Sequence, residues 1–175
     1  LFNNKHLSSP SGFGRLKQKA ESRVNALIDE AMGTTANKKS RKLVQIFDDI
    51  SNELCCVADA AEFVRTSHPD AAYRNQADEV YAQISQIVER LNTNHELYSR
   101  LKLSLTSDER MDECDKRVCR LLLADFEQSG IHLDEQARNK FVHVNDELIA
   151  VLMQFQINSQ QPALVNARDV DEKFK

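Results

Sequence analysis

The residues best able to do chemistry sit in "LNTNHELYSRL", Leu91 to Leu101, where His95 and Glu96 stand side by side. That pair opens the zinc motif H-E-x-x-H. In it, two His at i and i+4 share one helical face and hold the metal, while the Glu beside the first acts as general base. Here the i+4 residue is Ser99, and none of His6, His68, His132 and His143 lies at a paired spacing. Thr93-Asn94-His95-Glu96 also matches a capping box, in which Thr bonds an N–H three residues on and Glu bonds back. The capping reading gives Glu96 a structural task and puts His95 in an exposed first turn.

Other candidate groups are thinner. Cys55 and Cys56 are adjacent and point about 100° apart on a helix, so they form no ligand pair. Cys114 and Cys119 are not at a C-x-x-C spacing, and all four cysteines read as small buried or half-buried residues of a reducing compartment. Four Gly in the whole chain leave no phosphate-cradling loop or dinucleotide fingerprint, and no Ser has a visible partner set. Asp48-Asp49 and Asp112-Glu113 read as solvated charge. Glu147, four residues after His143, reads as a surface hydrogen bond or ion pair. Asp59, Asp125 and Asn145 lie beside inward faces and are expected to be partly buried and to fix helix register, the alternative being the wall of a channel formed with another domain. No catalytic residue and no metal ligand is assigned.

The elements that carry these residues read as helices. Ala, Leu, Glu, Gln, Lys and Arg abound, Gly (4) and Pro (3) are scarce, and no strand alternation is long enough to count. "LNTNHELYSRL" therefore joins helices in an all-α, antiparallel long-helix bundle. Residues 1–13 read as an extended arm. Residues 14–160 form the helical domain, and residues 161–175 are a tail or the start of a continuing chain. The first helix spans about 14–32, with Leu16, Ala20, Val24, Leu27, Ile28 and Ala31 on one face and Gly33 as its stop. The second spans about 40–67 on a stripe from Leu43 to Val64 and stops before Pro69. The third spans about 70–91, from Tyr73 to Leu91, as a hairpin with the second. A short fourth helix starts at the Thr93 box and ends near 103–105. Thr106-Ser107-Asp108-Glu109 is a second capping box opening a fifth helix to about 128, with Met111, Cys114, Val118, Leu121, Leu122 and Phe126 facing in. Asp134 caps a sixth over about 135–158. Its apolar face is Ala137, Phe141, Val144, Leu148, Val151, Leu152 and Phe155, and all six helices are expected around one shared core.

The bulk properties narrow the function classes. The 175 residues carry a net charge of -4, with 29% charged and 41% hydrophobic residues, an ordinary globular mixture for one domain. The only basic cluster is Lys38, Lys39, Arg41 and Lys42, which reads as a solvated loop entering a helix, so nucleic acid is not an expected partner. No apolar stretch reaches the length of a membrane span. Leu1 in place of Met leads us to expect a processed chain or a fragment, and its start shows no secretory pattern.

"LSSPSGF" (7–13), "DDISNELCCVADAAEFVRTSHPD" (48–70), "LNTNHELYSRL" (91–101) and "LLLADFEQSGIHLDEQARNKFVHVNDELI" (121–149) together resemble, in order, the N-terminal helical region of M3-family metallopeptidases, the thimet oligopeptidase group. The resemblance is to its mitochondrial members and spans nearly the whole chain. It implies a zinc metalloendopeptidase of the mitochondrial matrix that removes an octapeptide from the N-termini of imported precursors. In that family two His of H-E-x-x-H and a downstream Glu hold zinc, and the motif's Glu activates the zinc-bound water. Those residues lie beyond the part matched, so no ligand or base is carried over onto this chain. His95-Glu96 aligns with nothing catalytic.

By resemblance, these residues form one wall of a channel that admits short or unfolded peptides. The polar surface around Glu127, Ser129 and His132 is expected near an inter-domain face. The implied partners are a C-terminal catalytic domain and precursor peptides. The competing reading is an independent helical peptide- or protein-interaction module without catalysis. A small autonomous metalloenzyme would need clustered His and carboxylates that the sequence lacks.

Overall fold

The computed structural model describes residues 4–33, 41–108, 110–159, 166–169, 171 and 173. The described residues form helices and turns. The chain divides into two compact units, Leu1–Ile131 and His132–Lys175, and the division falls inside the 14–160 domain read from sequence.

Among the described residues the first unit has five α-helices: α1 (Gly12–Ala31), α2 (Leu43–Ser67), α3 (Ala71–Asn92), α4 (His95–Ser107) and α5 (Glu113–Gln128). The stripes of α1, α2 and α3 turn inward as their 3.6-residue period requires, burying Ala20, Val24 and Leu27, then Ile46 to Val64, then Ala77 to Leu91. Ion pairs give the directions. Arg23 meets Glu53 and Glu30 meets Arg41, so α1 and α2 run antiparallel. Arg65 reaches Asp78 at 3.4 Å and stacks 4.6 Å from the Tyr81 ring centre, which fixes the turn between α2 and α3. There, the residue before Pro69 leaves the helical region, and Asp70 caps α3 by accepting from the Ala72 N–H at 2.8 Å.

Residues expected as an extended arm instead include a single 3-10 turn, Lys5–Ser8, that buries Leu7. Gly12 makes that turn possible. A Cβ at this position would sit 1.6 Å from the His6 carbonyl oxygen, so only glycine lets the turn lie against the start of α1, where Phe13 is also buried.

Both capping boxes read from sequence are shifted. The Thr93 hydroxyl donates back to the Glu89 and Arg90 carbonyls and closes α3, while Asn94 caps α4 by accepting from the Glu96 and Leu97 N–H groups at 3.0 and 3.1 Å. Glu96 turns away from the cap and pairs with Arg100 at 3.2 Å. Thr106 and Ser107 lie inside α4, where their hydroxyls donate to the Leu103 carbonyl. The box that opens α5 is Asp112 with Asp115, each accepting the other's backbone N–H. Glu109, assigned to the earlier box, lies outside the described residues. On α5, Cys114 and Leu121 face solvent, and Cys119 and Leu123 take the buried positions.

The second unit holds α6 (Glu135–Ser159) and a 3-10 turn, Ala167–Asp169. Asp134 caps α6 by accepting from the Ala137 N–H at 2.8 Å. The apolar face of α6 was expected in the shared core. Instead Phe141, Val144, Leu148, Val151, Leu152 and Phe155 are all exposed, and among the described residues the buried core runs from Leu7 to Ile131. Periodicity shows that a helix has an apolar face; it does not supply what covers it.

Candidate functional site

The metal readings are tested first by geometry. His95 begins α4 in an exposed turn, with its carbonyl accepting from the Ser99 hydroxyl at 2.7 Å, so no second imidazole follows on that face. His143 and Glu147 approach to 3.6 Å on α6, both largely exposed, as the ion-pair reading expects. Among the described residues no group of three or more His, Cys, Asp or Glu side chains is placed to hold a metal.

The side chains singled out as a channel wall divide between the two units. Glu127 is exposed at the end of α5 and accepts from the Tyr98 hydroxyl at 2.9 Å. Ser129 is half-buried just beyond that end, and its hydroxyl and N–H both turn back to the Asp125 carbonyl at 3.2 Å. His132 is exposed and belongs to the second unit. Of the other polar residues weighed, Asp59 and Asp125 are exposed rather than partly buried, and Asn145 is half-buried.

Glu127 and Ser129 stand beside a cleft that the sequence reading missed. It encloses about 370 Å³ between α2, α3, α4 and α5, with Phe47, Leu54, Val88, Leu97 and Phe126 among its walls. Ser51, Asp125, Gln128 and Ser129 supply its polar edge. One wall is an aromatic cluster. Phe126 meets Phe47 edge-on at 6.0 Å and Tyr98 at 5.8 Å, and the Lys102 ammonium lies 5.4 Å from the Tyr98 ring. Such a cleft takes an apolar side chain and offers a carboxylate and neutral hydrogen-bonding groups at its edge. The Cys55 thiol also lines it, 3.8 Å from the Ser51 hydroxyl, and no His is among the lining residues described.

The elements around the cleft are tied by ion pairs that no local spacing announces. Arg41 grips Glu30 through two bonds of 3.0 and 3.1 Å and Asp49 at 2.5 Å. The Glu30 carboxyl is held below its ordinary range chiefly by that Arg41 bond. Lys42 reaches Asp115 at 2.5 Å, joining the start of α2 to the start of α5. The Lys42 bond, then the Asp112 N–H, lowers the Asp115 carboxyl. Two residues of the basic stretch read as a solvated loop are thus structural ties. Cys119 is fully buried and donates its thiol to the Leu101 carbonyl at 3.6 Å, and burial pushes that thiol's pKa up.

Comparison with known proteins supplies what the cleft alone does not. Mitochondrial intermediate peptidase of Homo sapiens is 38% identical over 178 residues, matching 100% of this chain and 24% of its own length. Along their whole length the 175 residues are similar to one part of that peptidase. The Rattus norvegicus mitochondrial intermediate peptidase is also 38% identical, over 100% of this chain and 25% of its own. The Candida albicans mitochondrial intermediate peptidase is 34% identical over 90% of this chain and 21% of its own. The chain therefore spans about a quarter of the length of these mitochondrial intermediate peptidases. No family model and no solved structure matches it. The zinc that the M3 resemblance implies does not fit the residues present, because the described donors come no closer to a ligand set than the exposed His143–Glu147 pair.

Proposed function

We propose that this chain is the non-catalytic N-terminal helical part of a mitochondrial-matrix zinc endopeptidase that trims the N-termini of imported precursors, and that it forms part of the substrate-channel wall. The observation that carries this reading is the end-to-end match, at 38% identity, to a peptidase about four times its length. Bond cleavage and metal binding then belong to the rest of the longer polypeptide.

In this reading the wall acts through shape and polarity. The aromatic cleft beside the end of α5 takes an apolar side chain of an unfolded peptide, with Ser129 and Asp125 at its edge and Glu127 next to it. His132, from the second unit, is the remaining polar residue assigned to the wall. A wall residue is tested in the full-length enzyme: Glu127→Gln should raise KM for a precursor peptide several-fold and leave kcat nearly unchanged. An equal fall in kcat would contradict a binding role.

The identity of the parent protein is tested by immunoblot of a mitochondrial fraction with antibody to residues 125–133. The expected band is about four times the 20.0 kDa of this chain, and the purified 175 residues should neither cleave precursor peptides nor retain stoichiometric zinc. A native product of 20.0 kDa would withdraw the peptidase reading in favour of an autonomous helical interaction module. Tight zinc binding with cleavage by the isolated chain would overturn the division of labour.

A further inference from the structure

The exposed face of α6 has a more regular pattern than a scatter of surface hydrophobes. Phe141, Val144, Leu148, Val151 and Phe155 follow steps of three, four, three and four, which is the seam of a helix built to pack knobs-into-holes on another helix. Leu152 widens it at one end. Exposure of these side chains ranges from 36% at Phe141 to 68% at Val151 and Phe155. Together they expose several hundred Å², which reaches the largest apolar patch that ordinary monomers carry. Exposed Lys140, Glu147 and Gln154 border the seam on one side, so it has a polar edge as a protein–protein contact does.

We infer that this seam is the docking rail for a helix of the same longer polypeptide, one that lies outside these 175 residues and carries its own three-four apolar stripe. The inference rests on the reading that the chain is part of a longer peptidase and names the partner of one of its faces. Two observations select that occupant. About three quarters of the length of each matched relative lies outside the match, so ample chain is available to supply a helix. The seam covers only two heptads, about 21 Å at 1.5 Å per residue. A heptad pattern argues for a coiled coil only when it is sustained over about three to four heptads, more than this seam has. A helix of the same polypeptide is presented at high effective concentration, so a two-heptad seam suffices. The partner helix is expected to cross at roughly 20° with small or branched apolar residues in the holes.

The test places a thiol on the seam. Leu148→Cys and Val151→Cys are made separately in the 175-residue chain and in the full-length parent. Maleimide labelling at each position is then followed by peptide mass spectrometry, with exposed Cys55 as the internal reference. Labelling is expected to be fast and concentration-independent in the 175-residue chain and at least tenfold slower at both positions in the parent. Equal labelling of the two proteins overturns the docking rail and leaves the peptidase reading standing. Protection in the 175-residue chain that grows with concentration assigns the seam to a second copy. Concentration-independent protection there assigns it to the chain's own residues, and either result overturns the inference. A parent band that is absent at the expected size defeats the peptidase reading first, so the two failures are told apart.

Discussion

Removing the Phe126 ring tests the aromatic wall most directly. Phe126 is 3% exposed and touches both Phe47 and Tyr98 while it lines the cleft. Phe→Ala in a core costs about 3–5 kcal/mol, the spread depending on how far the site collapses. The edge-type contact with Phe47 and the tilted one with Tyr98 account for about 0.5–1.5 kcal/mol each of that. Alanine's higher helix propensity returns a few tenths of a kcal/mol. The adjacent cleft gives the neighbours room to relax, which favours the lower part of the range. Phe126→Ala should therefore lower stability by about 3 kcal/mol, and Phe126→Leu, which keeps most of the volume but no ring, by about 1–2 kcal/mol. All three tyrosines, Tyr73, Tyr81 and Tyr98, lie in the first unit, so tyrosine emission in urea follows that unit alone. With a slope of about 1–3 kcal/mol per molar urea, the Ala variant's midpoint should fall by about 1–3 M. A Phe47→Leu/Phe126→Leu cycle should show coupling of about 0.5–1.5 kcal/mol. A loss below about 1 kcal/mol for Phe126→Ala, or no coupling to Phe47, would refute the view that this cluster organises the wall.

Three further outcomes follow from the same structure. Asn94→Ala should cost about 1 kcal/mol and Thr93→Ala distinctly less, read from the same urea midpoints; the reverse order would restore Thr93 as the cap. Glu30, Asp108, Glu113 and Asp115 have carboxyl pKa values lowered by Arg41, Arg110, Lys116 and Lys42 respectively. A lowered folded-state pKa means stability that is complete above the ordinary carboxyl values of 3.8 and 4.5 and lost as pH falls through the folded values. The urea midpoint should thus be level near neutrality and drop below about pH 4.5, with a shallower acid limb in Glu30→Gln. An unchanged limb in that variant would show the Arg41 bond to be idle. Finally, Cys55, Cys56 and Cys114 should react with Ellman's reagent in the native protein, whereas Cys119 should react only on unfolding. Four native-state equivalents would mean that the α4–α5 packing opens.

Helices α1 to α3 were legible in the sequence because one apolar stripe per helix agrees with a strong stop, Gly33 at φ 70° or Pro69 before Asp70. The start of α5 was not, because Thr106-Ser107-Asp108-Glu109 and Asp112 with Asp115 both have the spacing of a capping box. The choice was made by Arg110 clamping Asp108 and by Asp115 answering Asp112. At the other shifted cap, Asn94 and Thr93 differ by one residue, and the Thr hydroxyl was already used to close α3. The Glu127 position was visible as polar surface, but its partner Tyr98 lies 29 residues away, and no local pattern joins them. The cleft left no signal either, since its walls come from four helices whose stripes read only as core.

The tie between Lys42 and Asp115 spans 73 residues, and it carries a consequence for how the first unit is assembled. Most packing in this unit is between neighbours along the chain, α1 with α2, α2 with α3 and α4 with α5. Hairpins of that kind form early and quickly, because little loop entropy is lost before their contacts are made. Seating the α4–α5 hairpin on α2 closes the longest loop in the unit and brings Phe47 to Phe126 in the same step. That closure is expected to be the slowest step in folding of the first unit. A chain that folds from its N-terminus is expected to complete α1 to α3 first and to fasten the α4–α5 hairpin to them afterwards.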